Sequence, residues 1–196
     1  MKRKEEERKS QLLKATFQAI YDKSFSTVTL QDISDYAGVS KGVTNYYFRN
    51  KEDVFAHLLQ WITDRIYEKE ATAVNGTNKA DDKLQAYLHA VFIGPEENEK
   101  FYQVYLEFLA HVRKVPLFHE INQAFHENCY RISKEIIQTG IDEGLYSKEL
   151  QIESVARNIR AVIDGTLIQW LTVADREEHD TYKQHCYEAI KKLLSH

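Results

Sequence analysis

Apolar residues recur at helical spacing along most of the chain, and short polar or glycine-containing breaks separate the stretches. Leu13, Phe17 and Ile20 follow an i, i+4, i+7 pattern, which is typical of one buried face of an α-helix. A longer amphipathic stretch runs from residue 51 to about residue 73. Only 2 prolines and 7 glycines interrupt the 196 residues, which favours long helices. The pattern predicts an all-α protein with about nine helices.

The stretch from residue 29 to residue 51 predicts two short helices joined by a tight turn. Thr29 can cap the first helix together with Asp32, in the reciprocal arrangement that satisfies free backbone N–H groups. Gly38 ends this helix, because the residue after a helix often needs a positive φ that glycine adopts without strain. Ser40 can cap the second helix. A turn of about three residues between two helices indicates a helix-turn-helix motif.

The second helix of this motif has a small and polar face. Lys41, Thr44 and Asn45 are predicted to point outward and to contact base edges, which offer donors and acceptors in the major groove of DNA. Phosphate contacts are predicted for Thr29 and Tyr47 and for Lys51, which follows the motif. The complete predicted DNA-contacting set is Thr29, Ser40, Lys41, Gly42, Thr44, Asn45, Tyr46, Tyr47 and Lys51.

Lys51 lies at the start of the next predicted helix, which Asn50 can cap. A cation at a helix N-terminus opposes the helix dipole, and a nearby phosphate would explain its presence. We place the domain boundary at this residue. Residues 1–51 are predicted to form the helix-turn-helix domain, and residues 52–196 a second helical domain.

The charge is distributed unevenly between these two parts. Residues 1–51 contain ten Lys/Arg and six Asp/Glu, a net charge of +4, so the remainder carries −8 to reach the −4 of the whole chain. A basic N-terminal part is the one expected to face DNA. Cys129 and Cys186 lack metal-binding spacing, and no apolar run approaches the length of a membrane span. We therefore expect a cytoplasmic protein with free thiols, no metal, no cofactor and no membrane contact.

Two predicted helices near the C-terminus, from residue 152 to about 174 and from about 180 to 194, are apolar over more than one face. Gly165 interrupts the first of them, which is costly unless another surface approaches closely. These features predict a two-fold homodimer in which the last two helices of each subunit form a four-helix bundle. The predicted interface residues are Ile159, Val162, Gly165, Tyr182, Cys186 and Ile190.

The helix-turn-helix stretch resembles the tetracycline-repressor (TetR) family of bacterial transcriptional regulators. The matching residues are Thr29, Ile33, Ala37-Gly38-Val39-Ser40-Lys41-Gly42, Tyr47-Phe48 and Lys51. Thr44 and Asn45 stand where the family often has leucine and tyrosine, so the family's tyrosine contact is not carried over. The resemblance implies an N-terminal three-helix DNA-binding domain and a C-terminal effector-binding and dimerisation domain. It also implies a repressor that a small effector releases from double-stranded DNA, and a two-fold dimer would read a near-palindromic operator.

The resemblance further implies a ligand cavity in the C-terminal domain. Aromatic residues bury large areas and pack imperfectly, so some of them are expected to line it and to favour a mainly apolar effector. The candidates are Phe92, Phe101, Tyr105, Phe108, Phe118, Phe125 and Trp170. Plain core packing is the alternative for each ring.

The sequence also bears on two other classes of protein. An enzyme is disfavoured because no phosphate-binding glycine loop, dinucleotide fingerprint or nucleophile elbow is present. His119 and His126 lack the convergent ligands that a metal site needs. A helical small-molecule-binding protein without DNA affinity is the remaining alternative, and the lysines that flank the polar helix argue against it.

Overall fold

The computed structural model describes residues 2–195, and their side chains from residue 3 onward. These residues form nine α-helices and no strand: α1 Lys2–Lys23, α2 Leu30–Ala37, α3 Lys41–Tyr47, α4 Lys51–Asn75, α5 Ala80–Val91, α6 Pro95–Leu109, α7 Pro116–Asp142, α8 Ile152–Val173 and α9 His179–Leu194. A single 3-10 turn, Arg176–Glu178, precedes α9. The predicted all-α fold with an N-terminal helix-turn-helix is confirmed.

The helices form two compact units. The first takes the chain as far as Asp64, together with Gln103–Gln123. The second comprises Arg65–Tyr102 and the chain from Ala124 onward. The first unit therefore reaches beyond the boundary predicted at residue 51, because the first turns of α4 carry buried apolar side chains such as Phe55 that belong to its core.

Phe25 lies at the centre of the core of the first unit. Its ring centroid is 4.6 Å from that of Phe55, 5.3 Å from that of Phe108 and 6.1 Å from that of Phe118. The ring of His111 stacks on Phe25 at 4.3 Å. Phe108 and Phe118 are fully buried in this ring cluster. In these positions the two rings hold α6 and α7 against the segment that follows α1, and their assignment to an effector pocket stays a prediction.

The start of α6 is set by a proline. The helix begins at Pro95 and ends at Leu109. Proline is well suited to the first helical position, where its missing N–H has no helical partner. Glu96 and Glu97 then occupy the first turn, where the helix dipole favours negative charge.

Helices α8 and α9 of the second unit pack on each other through part of the predicted dimer interface. Ile159, Cys186 and Ile190 are fully buried within a single subunit. Their assignment to the dimer interface was wrong, because a side chain without exposed area cannot contact a second subunit. Val162 and Tyr182 are partly exposed, so their predicted role stays open.

Candidate nucleic-acid interface

The N-terminus of α2 is capped in the way that the sequence predicts. The Thr29 hydroxyl accepts the Asp32 backbone N–H at 3.1 Å, and the Asp32 carboxylate accepts the Thr29 backbone N–H at 2.8 Å. Lys23 donates to the same carboxylate at 2.6 Å. The Lys23 ammonium, together with Thr29, holds the pKa of Asp32 at about 2. Gly38 ends α2 at φ 63°, the left-handed conformation that the sequence predicts.

A buried pair of hydroxyl groups joins α2 to α3. Thr44 and Ser34 are both fully buried, and their side-chain oxygens lie 2.7 Å apart. Because the Ser34 hydroxyl donates to the Leu30 carbonyl at 2.8 Å, Thr44 is the donor of the pair. The prediction that Thr44 contacts a base was wrong: its side chain faces the protein and fixes the packing of the two helices. Ser34, which sequence reasoning missed, shares this role.

The remaining polar residues of α3 face solvent. Lys41, Gly42 and Asn45 are exposed, as the sequence predicts. Ser40 occupies the N-cap position, but its hydroxyl makes no capping hydrogen bond. A Cβ at Gly42 would meet only the Ser40 side-chain oxygen at 3.8 Å, so nothing within the first unit requires a glycine at this position.

The three aromatic residues at the end of α3 have different environments. Phe48 is buried at 1% exposure and anchors the helix end, whereas Tyr46 is 77% exposed. Tyr47 is partly exposed, and its ring meets that of Tyr46 edge-on at 5.1 Å. The structure therefore assigns the anchoring role to Phe48 and presents both tyrosines at the surface beside the polar face of α3.

The side chain of Lys51 is held against the segment that precedes α2. Its ammonium donates to the Ser26 carbonyl at 2.9 Å and lies 5.3 Å from the Phe55 ring centroid and 5.9 Å from that of Phe25. Partial burial lowers the pKa of Lys51, and the nearby Asp32 carboxylate opposes this shift. These contacts offset the unfavourable helix dipole. An ammonium has three N–H donors, so it can keep the Ser26 bond and still donate to a phosphate.

A surface concavity brings several of these groups together. It is bordered by the segment from Ser26 to Thr29, the first residues of α2, and the side chains of Lys41 and Lys51. Gln31, at its edge, is exposed and was missed by the sequence analysis, although its position on the polar side of the first turn of α2 was a usable signal. Two lysines beside a helix N-terminus form a surface suited to a phosphate group.

The other aromatic residues predicted to line a pocket do not share one environment. In the second unit, Phe92 and Trp170 pack on the His179 ring at 5.5 and 4.7 Å. Phe125 lies under the Arg160 guanidinium, at 5.1 Å from its ring centroid.

The rest of that predicted set is divided between the units. Tyr105, in the first unit, donates to Asn122 at 2.5 Å. Phe101, which belongs to the second unit, is partly exposed and meets Tyr102 edge-on at 5.0 Å. The seven predicted aromatic residues thus belong to several clusters.

The described helices include none that is long and apolar enough to cross a membrane. A capped helix pair with a tight turn, a supporting first helix and an exposed polar second helix define a helix-turn-helix DNA-binding protein. Residues 12–58 match the family described as "Bacterial regulatory proteins, tetR family", and residues 80–195 match "BetI-type transcriptional repressor, C-terminal". The chain belongs to the tetR family of bacterial transcriptional regulators, with a C-terminal part of the BetI type, and is a repressor-type protein that binds DNA.

Curated relatives match over most of their length. The HTH-type transcriptional repressor KstR2 of Mycobacterium tuberculosis is 24% identical over 153 residues, which is 78% of this chain and 76% of the relative. The HTH-type transcriptional regulator BetI of Pseudomonas paraeruginosa is 22% identical over 197 residues, which is 96% of this chain and 93% of the relative. These proteins are regulators and not enzymes.

Solved structures share the fold. A TetR transcription regulator from Haloarcula marismortui superposes with a TM-score of 0.86 at 24% identity, covering 97% of this chain and 100% of the other. A transcriptional regulator from Saccharomonospora viridis, solved in complex with choline, superposes with a TM-score of 0.85 at 20% identity, covering 95% of this chain and 96% of the other.

Proposed function

We propose that this protein is a cytoplasmic, homodimeric repressor that binds a near-palindromic operator through α3 and leaves it when a small effector binds the second unit. The observation that supports the operator contact best is the exposed face of α3. Lys41, Gly42 and Asn45 form a small polar surface on a helix that Phe48 and the Thr44 hydroxyl fix from behind. A helix presented in this way can enter the major groove and reach base edges.

The residues around α3 divide into two roles in this proposal. Lys41 and Asn45 contact bases, while Lys51, Tyr47 and the α2 N-terminus at Thr29 contact phosphates. Ser40 is a further candidate for a contact with a DNA phosphate, because its hydroxyl takes no part in capping α3. Base contacts discriminate between sequences, whereas phosphate contacts add affinity to every sequence.

A gel-shift titration at several salt concentrations tests this division. Asn45→Ala should cost about 1–3 kcal/mol on the operator and little on random DNA. Lys51→Ala should weaken binding to both and lower the slope of log affinity against log salt by about one. Equal losses for both variants on both DNAs would contradict the assignment of roles.

The dimer is proposed to form through the outer faces of α8 and α9. Val162, Gly165 and Tyr182 are partly exposed there, and Val173 at the end of α8 is 77% exposed. A two-fold dimer places two copies of α3 on half-sites about one helical turn of DNA apart, roughly 34–36 Å. An isologous interface of this kind is the commonest arrangement of soluble oligomers.

Gly165 allows a clean test of this interface. A Cβ at this position would meet no atom within 4 Å, so the subunit itself has room for a side chain. Gly165→Arg should therefore fold but dissociate the dimer, as measured by light scattering, and should weaken operator binding. A Gly165→Arg protein that stays dimeric with full operator affinity would place the interface elsewhere.

The effector is proposed to act through α4. This helix contributes Lys51 to the first unit and Glu70 to the second, so it is the element through which occupancy of the second unit can change the position of α3. An effector shifts the equilibrium only if it prefers the conformation that does not bind DNA. Native mass spectrometry of protein purified from its host, followed by operator titration with the compound that co-purifies, tests this step.

Choline is a candidate effector because the structurally similar regulator from Saccharomonospora viridis was solved with it. Recognition of a quaternary ammonium usually relies on open aromatic faces. In this chain the guanidinium of Arg160 already covers the face of Phe125. Because this position is already taken by a cationic group, the contact favours an effector that is not a cation.

A further inference from the structure

A buried arginine, Arg160, forms an ion pair with the partly buried Asp164 inside the second unit. The Arg160 guanidinium is 3% exposed and donates to both carboxylate oxygens of Asp164, through Nε at 3.0 Å and Nη2 at 2.7 Å. The Tyr102 hydroxyl reaches the same carboxylate at 3.5 Å. Asp164 therefore occupies one edge of the guanidinium. The other edge, at Nη1, points away from this partner.

Three buried polar groups that interact electrostatically with Arg160 lack a hydrogen-bond partner among the described residues, as Nη1 itself does. Glu70 is 1% exposed, and its Oε1 lies 3.9 Å from Nη1, which is beyond hydrogen-bond distance. The Tyr87 side chain is fully buried. Within residues 2–195 no hydrogen-bond partner is found for Arg160 Nη1, Glu70 Oε2, the Tyr87 hydroxyl or His126 Nδ1. Four unpaired polar atoms thus come from α4, α5, α7 and α8 of one unit.

Such atoms are costly if nothing else compensates for them. Burying a donor or acceptor without a partner is unfavourable, and more so when the group is charged. Native proteins contain few of these groups, and a set of four belonging to one electrostatic cluster indicates that something other than packing accounts for them. A ligand that supplies the missing partners is the simplest physical account.

Electrostatics restricts the charge of that ligand. Burial raises the pKa of Glu70 to about 7, with the Arg160 charge opposing the shift. The Nη1 edge of Arg160 faces Glu70, and the Arg160 charge also acts on Tyr87 and His126. Burial lowers the pKa of His126, and the Arg160 charge lowers it further. A cation in this position would meet the guanidinium at close range.

The hydrogen-bonding groups of the cluster also favour an anionic ligand over a cation. The Nη1 group and the Tyr87 hydroxyl are donors, and a protonated Glu70 and the appropriate tautomer of His126 donate as well. Burial, and after it the Glu70 charge, raises the pKa of Tyr87, and the nearby Arg160 guanidinium opposes this rise, although the geometry gives the hydroxyl no hydrogen bond within the described residues. Arg160 Nη1 can only donate, so its partner is an acceptor, and a carboxylate supplies two acceptor oxygens and a charge opposite to that of the guanidinium.

We propose that the effector of this regulator is a small organic acid whose carboxylate binds Arg160 Nη1, Tyr87 and Glu70, with His126 at the edge of the site. This inference rests on the proposed function, in which an effector binds the second unit. His126 is the partly exposed member of the set, so the carboxylate enters from its side.

Calorimetric titration of the full-length protein tests the charge and the hydrogen-bonding pattern together. The probes are the straight-chain carboxylates from acetate to octanoate, the primary amides of the same lengths, and choline chloride. We expect at least one carboxylate to bind at least about tenfold more tightly than its amide, because the charge-assisted bonds to Arg160 are lost in the amide. Choline should bind more weakly than that acid. No carboxylate binding up to about 10 mM, or amide binding of equal strength, overturns the proposal.

Two variants assign the binding to this cluster. Arg160→Met should abolish carboxylate binding, but it removes a buried charge and can impair folding. Tyr87→Phe deletes only an unpaired hydroxyl, so it should leave the melting temperature unchanged or higher while weakening the acid by about tenfold. Tyr187→Phe is the matched control, because its hydroxyl is already paired with Asp81 at 2.9 Å, outside the cluster. Equal affinity of the acid for Tyr87→Phe and Tyr187→Phe contradicts the assignment.

Operator titration of the same preparation separates this inference from the function on which it rests. A protein that binds its operator but none of the acids retains the proposed repressor role, and only the ligand class is wrong. An acid that binds at Arg160 without changing operator affinity confirms the carboxylate site but contradicts the proposed release by an effector.

Discussion

In the first unit the buried hydroxyl of Thr44 donates to Ser34, whereas in the second unit the buried hydroxyl of Tyr87 has no acceptor within residues 2–195. The first unit satisfies its internal polar groups and presents the residues proposed to contact DNA, such as Asn45, on the outside. The second unit keeps unpaired polar groups inside. A DNA-binding surface benefits from a rigid scaffold whose internal polar groups are all hydrogen-bonded within the protein. A site for a small molecule can instead keep polar groups whose hydrogen bonds are made only when the ligand is bound.

The largest effect is expected from breaking the ion pair of the second unit. Arg160→Met leaves the partly buried Asp164 carboxylate without its cation, so the free energy of unfolding should fall by about 3 kcal/mol in urea titration. Arg157→Met is the control on the same helix, because Arg157 is exposed and its 3.6 Å pair with Glu127 is at the surface. That control should cost less than about 1 kcal/mol. Similar losses for the two variants would mean that the Arg160 pair does not support the fold.

A smaller, pH-dependent effect is expected at Glu70. The folded protein keeps the Glu70 proton up to about pH 7, while the unfolded chain releases it near the ordinary carboxyl pKa of 4.5. The folded state therefore binds more protons in this window, and stability is lost as the pH rises from about 4.5 to about 7. Glu70→Gln removes this dependence, so the variant should gain about 2–3 kcal/mol relative to the wild type between these limits.

Urea unfolding at a series of pH values between 5 and 8 measures this difference. Glu68→Gln, two residues away on the exposed side of α4, is the matched control and should follow the wild type at every pH. A constant difference between wild type and Glu70→Gln across the series would show that Glu70 does not titrate in this window.

Thr44→Val tests the role of the internal hydrogen bond between Thr44 and Ser34 in the first unit. Valine keeps the shape of threonine but removes the donor to Ser34, so the stability should fall by about 1 kcal/mol. The altered α2 to α3 packing should also weaken operator binding. Thr16→Val is the control, because the buried Thr16 hydroxyl bonds only to the Leu12 carbonyl of its own helix, at 2.8 Å. Loss of operator affinity in both variants would assign it to general stability and not to the hydroxyl pair.

The smallest change in stability is expected at Gly42. Alanine is a better helix former, and its methyl group has room, so Gly42→Ala should raise the stability of the first unit by about 0.5 kcal/mol. The same methyl group would stand between α3 and the floor of the groove, so operator affinity should fall. Thermal unfolding and gel shift on one preparation measure both. A variant that gains stability and keeps full affinity would show that α3 does not approach DNA closely at this residue.

The sequence by itself determined the features that depend on neighbours in the chain. Three such features involve residues only three or four positions apart. They are the capping of α2 by Thr29 and Asp32, the left-handed Gly38 at its end, and the cap of α4, where Asn50 accepts the Asp53 N–H at 2.8 Å. Such contacts follow from local backbone geometry, so the residue types and their spacing were sufficient to predict them.

Only the tertiary structure decided which polar side chains are buried. Thr44 was predicted on the exposed face of α3, because nothing in its own helix reveals that Ser34 lies opposite. The same reason hid the cluster around Arg160, since its members come from helices far apart in the chain. Glu70, His126 and Arg160 each look like ordinary surface residues in their own helical patterns, and Tyr87 looks like one more ring on an apolar face. Helical spacing defines the faces of one helix, but long-range packing determines which face another helix covers.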